Sequence, residues 1–118
     1  MVCVAASLFH HAHNAEFLDE YPNMPAWLSR ASVYAAWLAA TLIGVAGFLL
    51  VRRGYRHAGL LLLVLYACYG MDGLAHYALA PMSAHSAAMN VSIWLEATAG
   101  AALIFTLITL GTRLRGND

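Results

Sequence analysis

Three long apolar stretches, separated by short polar breaks, dominate the pattern of the chain. They run from about 31 to 51, from 57 to 80 and from 84 to 111. Each is longer than the ~20 residues that an α-helix needs to cross ~30 Å of hydrocarbon. Because lipid offers no hydrogen-bond partner to an exposed backbone, helices are the expected structure for all three. We therefore predict transmembrane helices over about 25–53, 57–80 and 84–112.

The breaks between the stretches are short and contain helix-ending residues. Arg52-Arg53-Gly54-Tyr55-Arg56 separates the first two stretches, and Ala80-Pro81-Met82-Ser83 separates the last two. Pro81 disfavours a helical conformation for the residue before it. Connections this short place consecutive helices side by side and antiparallel. The expected fold is an all-α, polytopic membrane helix bundle that forms a single domain over residues 1–118.

The first twenty residues begin apolar and then become polar, with histidines and acids toward the end of the segment. We predict a helix over about 2–20, which ends at Tyr21 and Pro22 because proline disrupts a helix. Two placements are open for this helix. It is either a fourth, shorter membrane span packed against the others or a helix that lies in the interface. We favour the fourth span.

Composition supports a membrane location and excludes several functional classes. The chain has 118 residues, of which 62% are hydrophobic and 10% charged, whereas a soluble domain is about half apolar and roughly a quarter charged. This argues against a free cytosolic enzyme, a disordered chain and a coiled coil. The net charge is zero and all six basic residues are arginine, so no basic patch favours nucleic acid. The lipid bilayer is the expected partner.

The arginine positions predict the orientation of the bundle. Antiparallel spans place the first connection and the end of the last span on one side, and this side carries Arg52, Arg53, Arg56, Arg113 and Arg115. Positively charged loops face the cytoplasm. We therefore expect a multi-pass protein of the plasma membrane, as in a bacterial inner membrane, with a cytoplasmic C-terminus.

Ionisable residues near or inside the apolar stretches are the candidates for function. In a membrane such residues are costly, so they pair with one another, bind a cofactor or line a water-filled cavity. Helical spacing groups them on three faces, which are His10, His13 and Glu16, then Asp72 and His76, and then His85, Met89, Ser92 and Glu96. A rise of 1.5 Å per residue brings the three faces to one layer in the outer half of the membrane. We expect His11, on another side of its helix, to face the headgroups.

This pattern favours a metal centre, since bundle metal sites use Glu and His residues three apart that project inward from facing helices. Imidazole and carboxylate ligands suit zinc or iron, whereas copper would rely on histidine with Met89. The predicted metal ligands are His10, His13, Glu16, Asp72, His76 and His85. Glu96 and Asp72 are the predicted catalytic carboxylates, with a base acting on a metal-bound water.

Two other interpretations of the same residues stay open. The polar groups can bond to one another across the helices without any further role. Alternatively, one or two histidines ligate a haem or a pigment, because His76 lies deep enough and Gly70 and Gly73 leave room for a flat ring.

The N-terminal region also resembles a known family. The run His13-Asn14-Ala15-Glu16-Phe17, followed by Pro22, by Pro25-Ala26-Trp27-Leu28 and by an apolar helix, resembles the start of the HXXEE-type small integral membrane proteins. These are multi-helix bacterial proteins without an assigned biochemical activity. The match departs at Phe17, where the family has a second Glu. The resemblance implies that His13 and Glu16 belong to a functional polar centre, and it supplies no reaction.

Two hypotheses for the function follow from the sequence. The leading one is a buried His/carboxylate site, expected to hold a transition metal, in the outer half of the bundle and acting on a membrane-soluble substrate. The alternative is a non-enzymatic accessory subunit of a larger membrane complex or a homo-oligomer, in which histidines hold a haem or pigment. The sequence leaves open whether the chain is an enzyme.

Overall fold

The computed structural model describes residues 2–115, with the side chains described from residue 2 to residue 112, and every regular element in this part of the chain is helical. The α-helices are α1 (Val2–Glu16), α2 (Arg30–Arg52), α3 (Arg56–Tyr69), α4 (His76–Leu79) and α5 (Ala87–Arg115). Short 3₁₀ turns lie at Leu18–Glu20, Asp72–Ala75 and Met82–Ala84. The predicted all-α bundle is confirmed.

Three helical stretches are long and apolar enough to cross a membrane, as predicted. They are Arg30–Arg52, Arg56–Leu79 and Ala87–Thr112, with 23, 24 and 26 residues. At 1.5 Å per residue, each exceeds the ~30 Å thickness of the hydrocarbon core. Large apolar side chains point outward along them, for example Leu42, Leu61 and Phe105 at 58%, 60% and 69% exposure. Such a surface is stable in lipid and unfavourable in water.

The N-terminal helix packs into the bundle, and a fourth membrane span is not shown. Helix α1 has 15 residues, which rise only about 22 Å. The Cys3 thiol donates to the Ala99 carbonyl oxygen (3.3 Å), and His10 contacts Ser92, so α1 runs antiparallel to α5. Helices α1 and α3 each pack against both α2 and α5. The four longest helices therefore form a four-cornered bundle.

Helix α2 begins at Arg30, five residues later than predicted. A capping box fixes this start, because the Ser29 hydroxyl accepts from the Ser32 backbone amide (3.2 Å) while the Ser32 hydroxyl accepts from the Ser29 amide (2.9 Å). The preceding loop crosses one end of the bundle. Asn23 adopts a φ of 58° and its side chain donates to the Leu79 carbonyl oxygen (2.9 Å), which ties this loop to the end of α4.

The predicted continuous helix over 57–80 is broken between α3 and α4. A 3₁₀ turn over Asp72–Ala75 interrupts it. Just before this turn, Gly70 brings the backbone of α3 close to that of α5 at Gly100. A Cβ on Gly70 would lie 3.4 Å from the Cα of Gly100. A 3₁₀ turn advances about 120° per residue in place of 100°. The break therefore rotates the residues after Gly70 relative to a continuous helix.

The last helix begins at Ala87, three residues after the predicted start at 84. A short 3₁₀ turn over Met82–Ala84 follows Pro81. The Ser86 hydroxyl accepts from the Met89 backbone amide (3.2 Å). This side chain satisfies one of the free amides of the first turn, which is how serine starts a helix.

Small residues set the close packing of α2 against α3. A Cβ on Gly59 would lie 2.7 Å from the Gly47 carbonyl oxygen and 2.6 Å from a Val51 methyl group. A Cβ on Gly44 would lie 2.9 Å from the Tyr66 ring. Helices in membranes associate through such close approach, because lipid provides no hydrophobic drive between them.

We predict that Gly59→Ala destabilises the bundle by about 1–3 kcal/mol, because the new methyl group meets backbone that cannot move aside. Gly111→Ala is the matched control, since a Cβ there meets nothing within 4 Å and alanine is the better helix former. Unfolding in detergent, followed by circular dichroism, measures both. Equal stability of the two variants would contradict this packing.

Candidate functional site

A cluster of four histidines surrounds one buried carboxyl group where α1, α4 and α5 meet. Glu96 on α5 is 1% exposed. Its Oε2 lies 3.6 Å from His10 Nε2, and its Oε1 lies 3.3 Å from His11 Nδ1. The rings of His76 and His85 continue the group. We refer to His10, His11, His76, His85 and Glu96 as the His–Glu cluster.

The hydrogen bonds around His10 fix the nitrogen that faces Glu96. Ser92 donates its hydroxyl proton to the Met89 carbonyl oxygen (2.9 Å). The Ser92 oxygen is then free to accept from His10 Nδ1, 3.2 Å away. A neutral His10 with its proton on Nδ1 turns the lone pair of Nε2 toward the carboxyl oxygen. The two atoms are 3.6 Å apart, just beyond hydrogen-bond distance, and both oxygens of the buried Glu96 carboxyl group lack a hydrogen-bond partner among the described residues.

His11 contacts the other oxygen of the carboxyl group. Its Nδ1 lies 2.9 Å from the Ser7 carbonyl oxygen, which can only accept, so this nitrogen carries a proton. The same nitrogen approaches Glu96 Oε1 at 3.3 Å. Its Nε2 lies 3.3 Å from the Tyr69 hydroxyl. The carboxyl group therefore lies between two imidazoles of one helix, which offset part of the cost of its burial.

His76 and His85 extend the cluster toward the connection between α4 and α5. The ring centroids are 5.4 Å apart for His10 and His76, and 6.1 Å apart for His76 and His85. The Asn14 amide lies 3.1 Å from His76 Nε2. His85 Nδ1 donates to the Pro81 carbonyl oxygen (3.1 Å). His76 Nδ1 and His85 Nε2 are buried without a hydrogen-bond partner among the described residues.

Tyr21 covers the cluster at the end where α1 finishes. It is 3% exposed, its ring centroid lies 4.8 Å from that of His76, and it packs against Met89 and Ile93. Burial raises the pKa of the Tyr21 phenol above its ordinary value. The phenol therefore stays protonated, and its oxygen lies within hydrogen-bond distance of His13 Nδ1, 3.0 Å away. This lid separates the cluster from the solvent above it.

Gly73 makes the room that the His10–Glu96 pair occupies. A Cβ at this position would lie 3.1 Å from Glu96 Oε2 and 3.4 Å from His10 Nε2. The 3₁₀ turn between α3 and α4 therefore places a residue without a side chain next to the His10–Glu96 pair. The break between α3 and α4 therefore makes room for the cluster.

The structure brings some of the predicted site residues together and leaves others outside. His10, His76, His85 and Glu96 lie in the cluster. Glu16 is exposed and bonds to Arg30 and to the Tyr34 hydroxyl (2.8 Å) at the start of α2. His13 lies behind Tyr21. Asp72 is exposed and lies outside the His–Glu cluster, although it lines a cleft beside His11 and His76.

The expectation that His11 faces headgroups is wrong, since this residue is 6% exposed. Helix α1 buries Ser7, His10, His11 and Asn14. Their spacing of 3, 1 and 3 residues is that of one helix face that packs against the rest of a protein. That spacing was the signal in the sequence. The stripe His10–His13–Glu16 instead turns by 60° at each step, so Glu16 ends about 120° from His10.

The arrangement gives no support to a metal centre. Among the described residues, no group of three or more His, Cys, Asp or Glu side chains is placed so that it could hold a metal ion. Of the six predicted ligands, three lie in the cluster, and there they face Ser92, Asn14 and the Pro81 carbonyl oxygen. What the cluster offers chemically is a buried acid beside several imidazoles.

Comparison with known proteins provides no relative, because no family model, no curated protein and no solved structure matches this chain. The functional argument therefore rests on the geometry of the cluster.

We predict that His10→Ala destabilises the bundle by about 3 kcal/mol, because it removes one of the two imidazoles beside the buried Glu96 carboxyl group. Glu16→Ala, on the same helix, is the control. Its ion pair with Arg30 is solvent-exposed, so its loss costs less than about 1 kcal/mol. Detergent unfolding titrations measure both variants. A smaller loss for His10→Ala than for Glu16→Ala would contradict the assignment of His10 to the buried pair.

Proposed function

We propose that this chain is a multi-pass protein of the plasma membrane whose His–Glu cluster is an acid–base site that exchanges a proton with a membrane-soluble substrate. The single observation that carries the proposal is the His10–Glu96 pair. The two groups are 2% and 1% exposed, and His10 Nε2 lies 3.6 Å from Glu96 Oε2, so a buried base and a buried acid face each other.

Placement inside a lipid-embedded bundle strengthens the argument for a functional role. Ionisable side chains in a membrane are expensive to keep, and chains of Glu and His are the usual means of moving protons there. A general acid or base must reach its partner directly or through one intermediate. From His10, the rings of His76 and His85 follow at centroid distances of 5.4 and 6.1 Å, and His11 lies on the other side at 5.5 Å.

The expected orientation places this site in the outer half of the membrane. The connection between α2 and α3 carries Arg52, Arg53 and Arg56, and the positive-inside rule assigns this end to the cytoplasm. The cluster lies toward the opposite end, next to the connection between α4 and α5. The C-terminus, which follows α5, is then cytoplasmic. Because Tyr21 closes the cluster toward the aqueous end, we propose that the substrate approaches from the lipid.

We predict that the proton between His10 and Glu96 is visible by nitrogen NMR of histidine-labelled protein in nanodiscs. His10 Nε2 should give the signal of a nitrogen that carries or accepts a proton. In Glu96→Leu the same nitrogen should give the signal of a free acceptor, because its partner is gone. Glu16→Leu is the matched control and should leave the signal unchanged. Identical His10 signals in wild type and Glu96→Leu would overturn the proposal.

We predict that a cysteine in place of Ser83 is labelled from outside intact cells by a membrane-impermeant maleimide. A cysteine in place of Arg53 should react only after the cells are opened, because the two connections lie on opposite sides. Labelling of the wild-type chain gives the background from Cys3 and Cys68. Reversed accessibility of the two positions would invert the orientation and place the cluster in the inner half.

A further inference from the structure

A cleft opens on the side of the bundle next to the His–Glu cluster, between α1, the start of α2 and the α3–α4 segment. Its volume is about 170 Å³. Met24, Leu28 and Val33 give it an apolar wall, whereas His11, Asn14 and His76 line the opposite side. The cleft is therefore amphipathic, and through His11 it borders the contact with Glu96.

Two polar atoms beside the cleft have no partner. Asn14 and His76 are 7% and 6% exposed, and neither Asn14 Oδ1 nor His76 Nδ1 makes a hydrogen bond within the described residues. The Asn14 amide nitrogen donates to His76 Nε2, so a neutral His76 carries its proton on Nδ1. The side chains thus offer one unused acceptor and one unused donor. Both side chains line the cleft.

A single hydroxyl group matches this combination, because it donates one hydrogen bond and accepts another. The size of the cleft matches one ring, since an apolar cavity of about 150 Å³ is enough to hold benzene. The apolar wall would cover the face of such a ring. An anionic ligand fits poorly, because no arginine lines the cleft and Asp72 does.

We propose that this cleft binds a lipid-soluble phenol, with its hydroxyl group between His76 and Asn14 and its ring against Met24 and Leu28. A phenol is also the substrate class that we assign to the acid–base site, because His76, which lines the cleft, belongs to the His–Glu cluster. This role of the phenol rests on the proposed function, whereas its binding does not.

Binding is tested on the intact chain in nanodiscs with 4-fluorophenol as the probe and methionine methyl groups as reporters. Met24 lines the cleft, and Met82 lies on the connection between α4 and α5. The Met24 methyl signal should shift saturably with 4-fluorophenol while the Met82 signal stays in place. 4-Fluoroanisole, which cannot donate a hydrogen bond, should bind at least about fivefold more weakly, as expected for one lost hydrogen bond. Equal shifts at both methionines, or equal affinity for both probes, would overturn the proposal.

A pair of variants tests the location of the site. Ala36 lines the cleft, whereas the neighbouring Ala35 does not, and both are exposed. Ala36→Phe should weaken 4-fluorophenol binding at least about tenfold, because the new ring occupies the cleft. Ala35→Phe should bind as the wild type does. Unchanged affinity in Ala36→Phe would place the probe elsewhere.

The two proposals fail in distinguishable ways. The His10 nitrogen signal is recorded without any phenol, and the Met24 shift is recorded without any change at Glu96. Absence of a Met24 shift with an intact His10 signature overturns the phenol site alone. A Met24 shift in a protein whose His10 signal does not depend on Glu96 overturns the acid–base function and leaves a binding site.

Discussion

A carboxyl group placed in the interior of a lipid-embedded bundle imposes the arrangement around it. Glu96 lies on the longest helix, is 1% exposed, and could not remain there without groups that share its proton or its charge. Two consecutive histidines of α1 supply these groups, one to each carboxyl oxygen. Ser92, one turn away on the same helix as Glu96, orients the first of them. The position of α1 is thus tied to the carboxyl group as much as to apolar packing.

The two ends of the bundle follow different packing rules. Toward the arginine-rich connection, Gly47 and Gly59 bring α2 and α3 into backbone contact, and the helices there are regular. Toward the other end, the span Arg56–Leu79 is interrupted, the chain between α1 and α2 forms a loop, and the 15-residue α1 packs into the bundle. Regular helices packed through glycine provide a rigid base. At the irregular end, Gly73 in the 3₁₀ turn leaves the space that the His–Glu cluster occupies.

The break between α3 and α4 shows how backbone irregularity and chemistry are linked. Gly73 faces the His10–Glu96 pair at a distance that a side chain would crowd. The turn also moves Asp72 to the exposed surface while His76 stays buried. Irregular backbone at membrane depth is tolerated where it is buried in protein or lines a cavity. Here it is buried against the cluster and also borders the cleft.

Local pattern is enough to predict the three long helices and to bring His10, His76, His85 and Glu96 near one level. Apolar length and the cost of buried charge are local properties, and they follow from composition and from a constant helical rise. Which side chains meet depends on the packing of the helices. A continuous helix would place Asp72 one turn from His76, whereas the 3₁₀ turn leaves Asp72 exposed at a cleft and His76 buried in the cluster. The pattern of α1 alone turns His11 toward the headgroups, whereas α1 packs against both α2 and α5 and buries a wider face. Which side of a helix is buried depends on where the neighbouring helices pack, and no local sequence pattern contains that information.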